Sequence, residues 1–545
     1  MADKIEYPPV VFTDDGWALM SLNPPLTAQD LKENVVDGYT GTGGALWWSL
    51  GDHEVYHYET EVGEVCGAGY AELDESPYSF VHSTSPGMMA RLRDNTQSLI
   101  ATGRGPLTTL MNLCADSDLP FLPRFRMNSH YVIDPAHPGY GRWRREHPDL
   151  LIGRLGEEIS KNSTNWGIRT GKDFSCHGVR EYVASIIFEL IDRFDVEGVE
   201  LDFMRHPAFF RIEEAFQHRY LMTDLIRKIR QRLDEAGTSR GKRLILATRV
   251  PPTIADSTRI GLDVAAWIKE RLVDIVVVGG GNISFETSTR EFVEAARTTS
   301  CLIYGCISSR LVDPKCLRAL AARWYSDGAD GIYLYNFYTQ TPEWNKRTFD
   351  ELSNARGSKH LSKCYELASI GGFYPTDGHG AAFRYGHSST QLPITLEPNF
   401  AGRGPILHIE ISDNIESVGT EGTLKSCSCN LALRFDNLTD KDELVVYLNN
   451  ISLPWASAHV SFDGWMRMAV EPLYWTKYPT YPVEQHQEGI SVEFELDCPP
   501  LCNGKNELNI RLISNHTDRT EPVILKGIEL SITYQDEDTN CSAMA

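Results

Sequence analysis

Residues 179–203 read VREYVASIIFELIDRFDVEGVELDF. From Val179 to Phe194 the apolar residues recur at three- and four-residue spacing, the period of a helix buried along one face. Gly198–Phe203 (GVELDF) is then a short β-branched and aromatic run behind a glycine, which predicts a strand. The same alternation extends both ways. Strands are expected at Ala45–Leu50, Pro120–Met127, Arg243–Arg249, Asp274–Val278, Cys301–Ile307 and Asp330–Phe337, with a short one, third in order, at Asn165–Arg169. Helical patterns lie at Met89–Ala101, Phe216–Leu233 and Leu317–Ser326. Strands alternating with helices imply parallel strands joined by right-handed crossovers, and eight such units in about 300 residues fit an α/β (β/α)8 TIM barrel. No GxGxxG follows the first strand, and polar residues end almost every strand, which sets a doubly wound sheet aside.

After about residue 375 the helical period gives way to period two. Ile406–Ile411, Cys429–Phe435, Leu444–Leu448, Ala458–Phe462, Ile490–Leu496, Glu507–Ile513 and Ile528–Tyr534 alternate between turn residues, as in an antiparallel β-sandwich. The expected organisation is a barrel over 1–355, a linker over 356–380, an accessory sandwich over 381–535 and a tail over 536–545.

Composition narrows the role. With 52 Lys and Arg against 74 Asp and Glu, the net charge is −22, which argues against nucleic acid as a partner, since phosphate binding depends on basic residues. No apolar run reaches the ~20 residues of a membrane helix, and the first residues lack a basic and apolar leader, so the chain as written reads as cytoplasmic, or secreted if a signal was removed. The 12 cysteines form no repeated CxxC, so reduced thiols are expected and no structural zinc. Sequons at Asn162, Asn282, Asn437, Asn450, Asn515 and Asn540 matter only on a secretory route.

In such a barrel the chemistry comes from the C-terminal ends of strands. These ends give Asp52, His53 and Glu54; Arg124, Arg126, Asn128 and His130; Glu200, Asp202, Arg205 and His206; Arg249; Arg310; and Tyr335 and Asn336, with Trp47 and Trp48 at the same level. Aromatic rings beside carboxylates and amides suit a sugar, whose faces stack and whose hydroxyls need polar partners. Strand side chains repeat every two residues, so Glu200 and Asp202 share the face turned into the barrel. Arg124 and Arg126 share a face by the same parity and, with Arg249, are natural counter-ions. A cation beside Asp202 would keep it ionised, fit for a nucleophile or an electrostatic stabiliser of an oxocarbenium-like state. A second carboxyl group is not fixed; Glu54, Glu286 and Glu343 are the loop candidates.

The segment Asp195–Pro207, DVEGVELDFMRHP, resembles the hallmark of glycosyl-hydrolase-like TIM-barrel proteins, a DGIxLDYxRYP-type motif at the end of a central strand. Gly198, Leu201, Asp202, Arg205 and Pro207 match it, while Glu197, Phe203 and His206 depart from it. The resemblance implies that Asp202 takes the place of that family's presumed catalytic aspartate and Arg205 that of its basic partner.

The expected function is therefore a glycoside hydrolase acting on an oligo- or polysaccharide, with Asp202 and Glu200 as catalytic carboxyls. Trp47, Trp48, Arg124, Arg126, Asn128, His130, Arg205, His206, Arg249, Arg310 and Asn336 are expected to bind substrate. The arginine excess points to an anionic sugar, uronate or sulfated. No cofactor is called for. Asp52, His53, His57, His130 and His206 offer a weaker metal reading, with no HxH or HExxH to organise them. The alternative is a non-catalytic carbohydrate-binding or scaffolding protein on a degenerate barrel.

Overall fold

The computed structural model describes residues 5–52, 55–67, 87–130, 134–136, 138–279, 285–308, 313–337, 341–353, 358, 361–368, 391–402, 404–413, 415, 427–470, 482–496, 499–516 and 519–534. Eight parallel strands close into a barrel: β1 (Val10–Asp14), β2 (Ala45–Ser49), β3 (Phe121–Arg126), β4 (Gly198–Asp202), β5 (Ile245–Val250), β6 (Ile275–Val278), β7 (Leu302–Ser308) and β8 (Gly331–Tyr335). Each strand pairs with its neighbours in the chain, and β8 closes on β1 through Val10–Ile332 and Phe12–Leu334. Parity sets two layers. Phe12, Leu46, Trp48, Phe125, Val199 and Leu201 face the helices, while Val11, Ala45, Trp47, Leu122, Ile275 and Tyr333 fill the interior.

One expected strand is not a strand. Asn165–Arg169 lies in and beside a short helix, Thr164–Ile168, capped by the Ser163 side chain. The missing strand is β1, so the sequence count of eight was reached with one wrong member. Asn165 turns out to be a brace, its amide reaching Glu213 at 2.7 Å and accepting the Ile212 N–H.

The helices include α1 (Met88–Ala101), α2 (Pro106–Asp116), α3 (His177–Arg193), α4 (Ile212–Arg240), α5 (Val264–Lys269), α6 (Arg290–Ala296), α7 (Pro314–Asp327) and α8 (Pro342–Leu352); α1, α3, α4 and α7 lie where the period places them. The ends of α7 follow from its sequence. Asp313 caps its first turn with Pro314 next, and Gly328 stops it in the left-handed region at φ 97°. Two glycines serve close approach. A Cβ at Gly198 would stand 2.1 Å from the Ile245 carbonyl oxygen, and one at Gly305 would stand 2.0 Å from the Trp324 ring. Side chains there would push β4 off β5 and α7 off β7.

The C-terminal part is a sandwich of antiparallel sheets. One sheet is built from β9 (Lys363–Ala368), β10 (Ile394–Leu396), β12 (Cys427–Asp436), β15 (His459–Ser461), β18 (Ile490–Leu496) and β20 (Val523–Tyr534); the other from β11 (Ile406–Ile411), β13 (Asp442–Leu448), β14 (Ile451–Leu453) and β19 (Gly504–Ser514). A hairpin, β16 (Trp465–Val470) with β17 (Pro482–Gln487), stands beside them. All seven strands read from the sequence are present. Within the stretch read as a linker, β9 is a full partner of β20. The sandwich meets α6 and α7 of the barrel through Arg290–Glu410 at 2.8 Å, Arg323–Glu410 at 3.4 Å and the Arg318 guanidinium donating to the Ser362 carbonyl at 3.1 Å. The ten described cysteines carry thiols. No helix among the described residues is long and apolar enough to cross a membrane.

Candidate active site

β4 carries the centre. Its register pairs Arg124 with Glu200 and Arg126 with Asp202 on one side, and Asp202 with Arg249 on the other. The two inward carboxyls therefore stand between arginines of both neighbouring strands. Arg249 grips Asp202 through two parallel bonds, Nε to Oδ1 at 3.0 Å and Nη2 to Oδ2 at 2.8 Å. The turn after β4 adds the backbone N–H groups of Met204 and Arg205, which donate to Asp202 Oδ1 at 2.9 and 3.0 Å. Burial alone would raise the pKa of Asp202, but Arg249 and Arg124 outweigh it and hold the carboxyl below its usual range.

Glu200, one layer deeper, has the opposite fate. Burial pushes its pKa up to about 8, against the opposing pull of Arg124. The Tyr333 hydroxyl from β8 lies 2.9 and 3.0 Å from its two oxygens. Arg124 stays at a distance, its Nε 3.9 Å from both Glu200 Oε2 and Asp202 Oδ2. The ring of Tyr335 lies beside both guanidiniums, 4.1 Å from Arg249 and 5.4 Å from Arg124. The surroundings thus drive the two carboxyls of one strand in opposite directions, Asp202 toward the ionised form and Glu200 toward the protonated one.

A third carboxylate, Asp15, completes the cluster. It follows β1 and bonds Arg124 Nη2, while Arg126 Nη2 reaches it at 2.8 Å. Sequence reading missed it because β1 was missed. VVFTDD is an apolar β-branched run ended by polar residues, as the other strands are, but no helical pattern before it frames it as part of the alternation.

The remaining expected residues divide. Arg124, Arg126 and Arg249 join the carboxyls as expected. Trp47 faces the interior but points to the floor, where its indole N–H donates to the Tyr7 hydroxyl at 2.8 Å. Trp48 does not belong to the site: one residue on, it faces the helix layer and packs edge-on against His57 at 4.8 Å. Asn128 braces two loops, donating to the carbonyls of Lys172 and Ala208 and accepting from the Ser129 and Lys172 N–H groups. His130 and His206 are buried edge-to-face, 4.9 Å apart. Arg205 supplies its backbone N–H to Asp202. Asn336 turns the chain after β8 at φ 61°, its N–H donating to Thr13 Oγ1.

Arg310, His53, Glu54 and Tyr338 lie outside the described residues. The two described loop acids stand away from the cluster. Glu286 accepts the backbone N–H of Gln391 at the sandwich, and Glu343 is exposed in the first turn of α8. Among the described residues no three His, Cys, Asp or Glu side chains gather to hold a metal.

No family model matches the chain, and no curated protein matches it by sequence. Solved structures similar to it include glycoside hydrolases and other carbohydrate-active enzymes. A cycloisomaltooligosaccharide glucanotransferase from Paenibacillus sp. is 8% identical with a TM-score of 0.34, over 96% of this chain and 57% of that one. The chitinase ChiW from Paenibacillus sp. is 10% identical with a TM-score of 0.36, over 95% of this chain and 54% of that one. The chain thus spans little more than half the length of these two. A Haloferax volcanii malate synthase is also similar, at 9% identity and a TM-score of 0.31 over 63% of this chain and 73% of that one. At these scores the likenesses carry no argument about chemistry, and the barrel rests on its own strand pairing.

Proposed function

We propose that the chain is a glycoside hydrolase whose barrel, within residues 1–355, carries the chemistry, with the sandwich over 381–535 as an accessory domain joined by β9. One observation carries this reading: Glu200 and Asp202, on one face of one strand at the C-terminal end of the barrel, are driven to opposite protonation states by the groups around them. Asp202 is the ionised carboxylate that meets positive charge developing at the anomeric carbon, as nucleophile or stabiliser. Glu200 holds the proton. The guanidiniums of Arg124, Arg126 and Arg249 gather at this end of the barrel around Asp15 and Asp202. Guanidiniums recognise carboxylate and sulfate oxygens through paired hydrogen bonds, so this arginine cluster favours a uronate or sulfated sugar.

The second reading, a barrel that binds or scaffolds without turnover, is favoured by one observation. Arg124, Glu200, Asp202 and Arg249 are at most 1% exposed, as in a charge ladder that fills a barrel. A panel of neutral, uronate and sulfated oligosaccharides separates the two. Release of new reducing ends, greatest with the anionic substrates and weakened by salt, is the expected result. Binding without release from any substrate would establish the second reading instead.

A further inference from the structure

Asp15 stands one residue past the Asp14–Trp48 pair, level with Ser49, and Ser49 pairs with Arg124. The small Ser49 side chain leaves room for the Arg124 guanidinium to cross β2 and reach the end of β1. It does so with Nη2 alone. Its Nε stops 3.9 Å short of both inner carboxyls, and Nε and Nη1 make no hydrogen bond among the described residues. Arg124 therefore hydrogen-bonds the outer carboxylate and meets the two inner ones only at ion-pair distance. We propose that Asp15 is a positioning residue that holds the Arg124 guanidinium at ion-pair distance from Glu200, short of a hydrogen bond, and so favours the neutral form of the inner glutamate.

The groups facing Glu200 support the direction of the effect. Arg124 faces it from β3, Asp202 from its own strand, Arg249 from β5, Tyr333 from β8 and Tyr7 from the segment before β1; Cys306 of β7 lies in the same field. Of these, Arg124 is the cation that counts most against the burial that pushes Glu200 up to about 8. Removing the charge of Asp15 deletes a nearby anion and frees Arg124 to close on Glu200. Both changes favour the ionised glutamate. The inference concerns where a proton resides and holds whether or not the hydrolase reading does.

Infrared spectroscopy of the full chain reads that proton directly, through the protonated-carboxyl stretch followed against pH, with Glu200→Gln identifying the band. In Asp15→Asn the midpoint of that band should fall by roughly one to three pH units, and Asp15→Glu should restore most of it. Arg126→Gln removes one of the cations bound to Asp15 and should move the midpoint the other way, a test that stands even if Asp15→Asn fails to fold. A Glu200 midpoint unchanged in both Asp15→Asn and Arg126→Gln, or a neutral-pH band that Glu200→Gln does not remove, would overturn the proposal.

Discussion

The barrel and the sandwich each bury an ionic cluster, and the two are built differently. In the sandwich, Asp413 takes the Lys363 ammonium at 2.9 Å, the Tyr365 hydroxyl at 2.5 Å and the Tyr534 hydroxyl at 2.8 Å. One anion meets one cation, and two phenols fill the remaining lone pairs, which is how a buried ion pair becomes tolerable. In the barrel, Asp15, Glu200 and Asp202 share Arg124, Arg126 and Arg249, and the sharing is uneven. Asp202 is saturated, Glu200 keeps a proton, and Arg124 leaves two nitrogens without a hydrogen bond among the described residues. Burial can push carboxyls apart in a purely structural cluster too, as for Glu366 of the sandwich, raised by burial beside Arg467. In the barrel the separation falls on two carboxyls of one strand face, as the proposed proton transfer requires.

Stability should not separate the two clusters, and that is the first way to test the comparison. Asp202→Asn strands Arg249, and Asp413→Asn strands Lys363, each cation at most 2% exposed. Each variant should lose about 3–5 kcal/mol in denaturant unfolding. A loss under about 1 kcal/mol in either would mean that water reaches the stranded cation. The pH dependence should separate them. The raised pKa of Glu200 contributes stability that is complete below about 4.5 and is lost as pH rises through about 8. The lowered pKa of Asp202 contributes stability that is present above about 3.8 and is lost as pH falls below it. Their joint contribution peaks near pH 4–5. From there to pH 9 a few kcal/mol should disappear, since raising a carboxyl pKa tenfold in proton affinity is worth about 1.4 kcal/mol. Glu200→Gln should flatten that decline, as followed by thermal melts across pH. The smallest effect belongs to the seam between the regions. Arg290 is largely exposed where it meets Glu410, so Glu410→Gln should cost no more than about 1 kcal/mol by denaturant titration.

Much of this cluster was legible in the sequence, because strand parity is a strong constraint. Once GVELDF is a strand, Glu200 and Asp202 must share a face, and Arg124 and Arg126 must share another, so the counter-ions follow. The same constraint forbids Trp47 and Trp48 from both facing inward, and Trp48 is the one that fails. Asp15 was illegible for a different reason. β1 is a short run near the start of the chain with no helix pattern ahead of it, and a pairing partner as distant as β8 leaves no local trace. Asn165–Arg169 imitated a strand because a short helix inside a long excursion shows too few turns to display its period. The bracing role of Asn128 could not be read either, since its partners, Lys172 and Ala208, are brought to it only by the fold.

If the barrel cluster does chemistry and the sandwich cluster does not, turnover must separate them where stability does not. Initial rates of reducing-end release from the best substrate of the panel, measured on folded Asp202→Asn and Asp413→Asn beside the natural chain, test this most directly. Asp202→Asn should fall by at least about 10³-fold, while Asp413→Asn keeps the natural rate per folded molecule. Near-natural hydrolysis by folded Asp202→Asn would contradict the account.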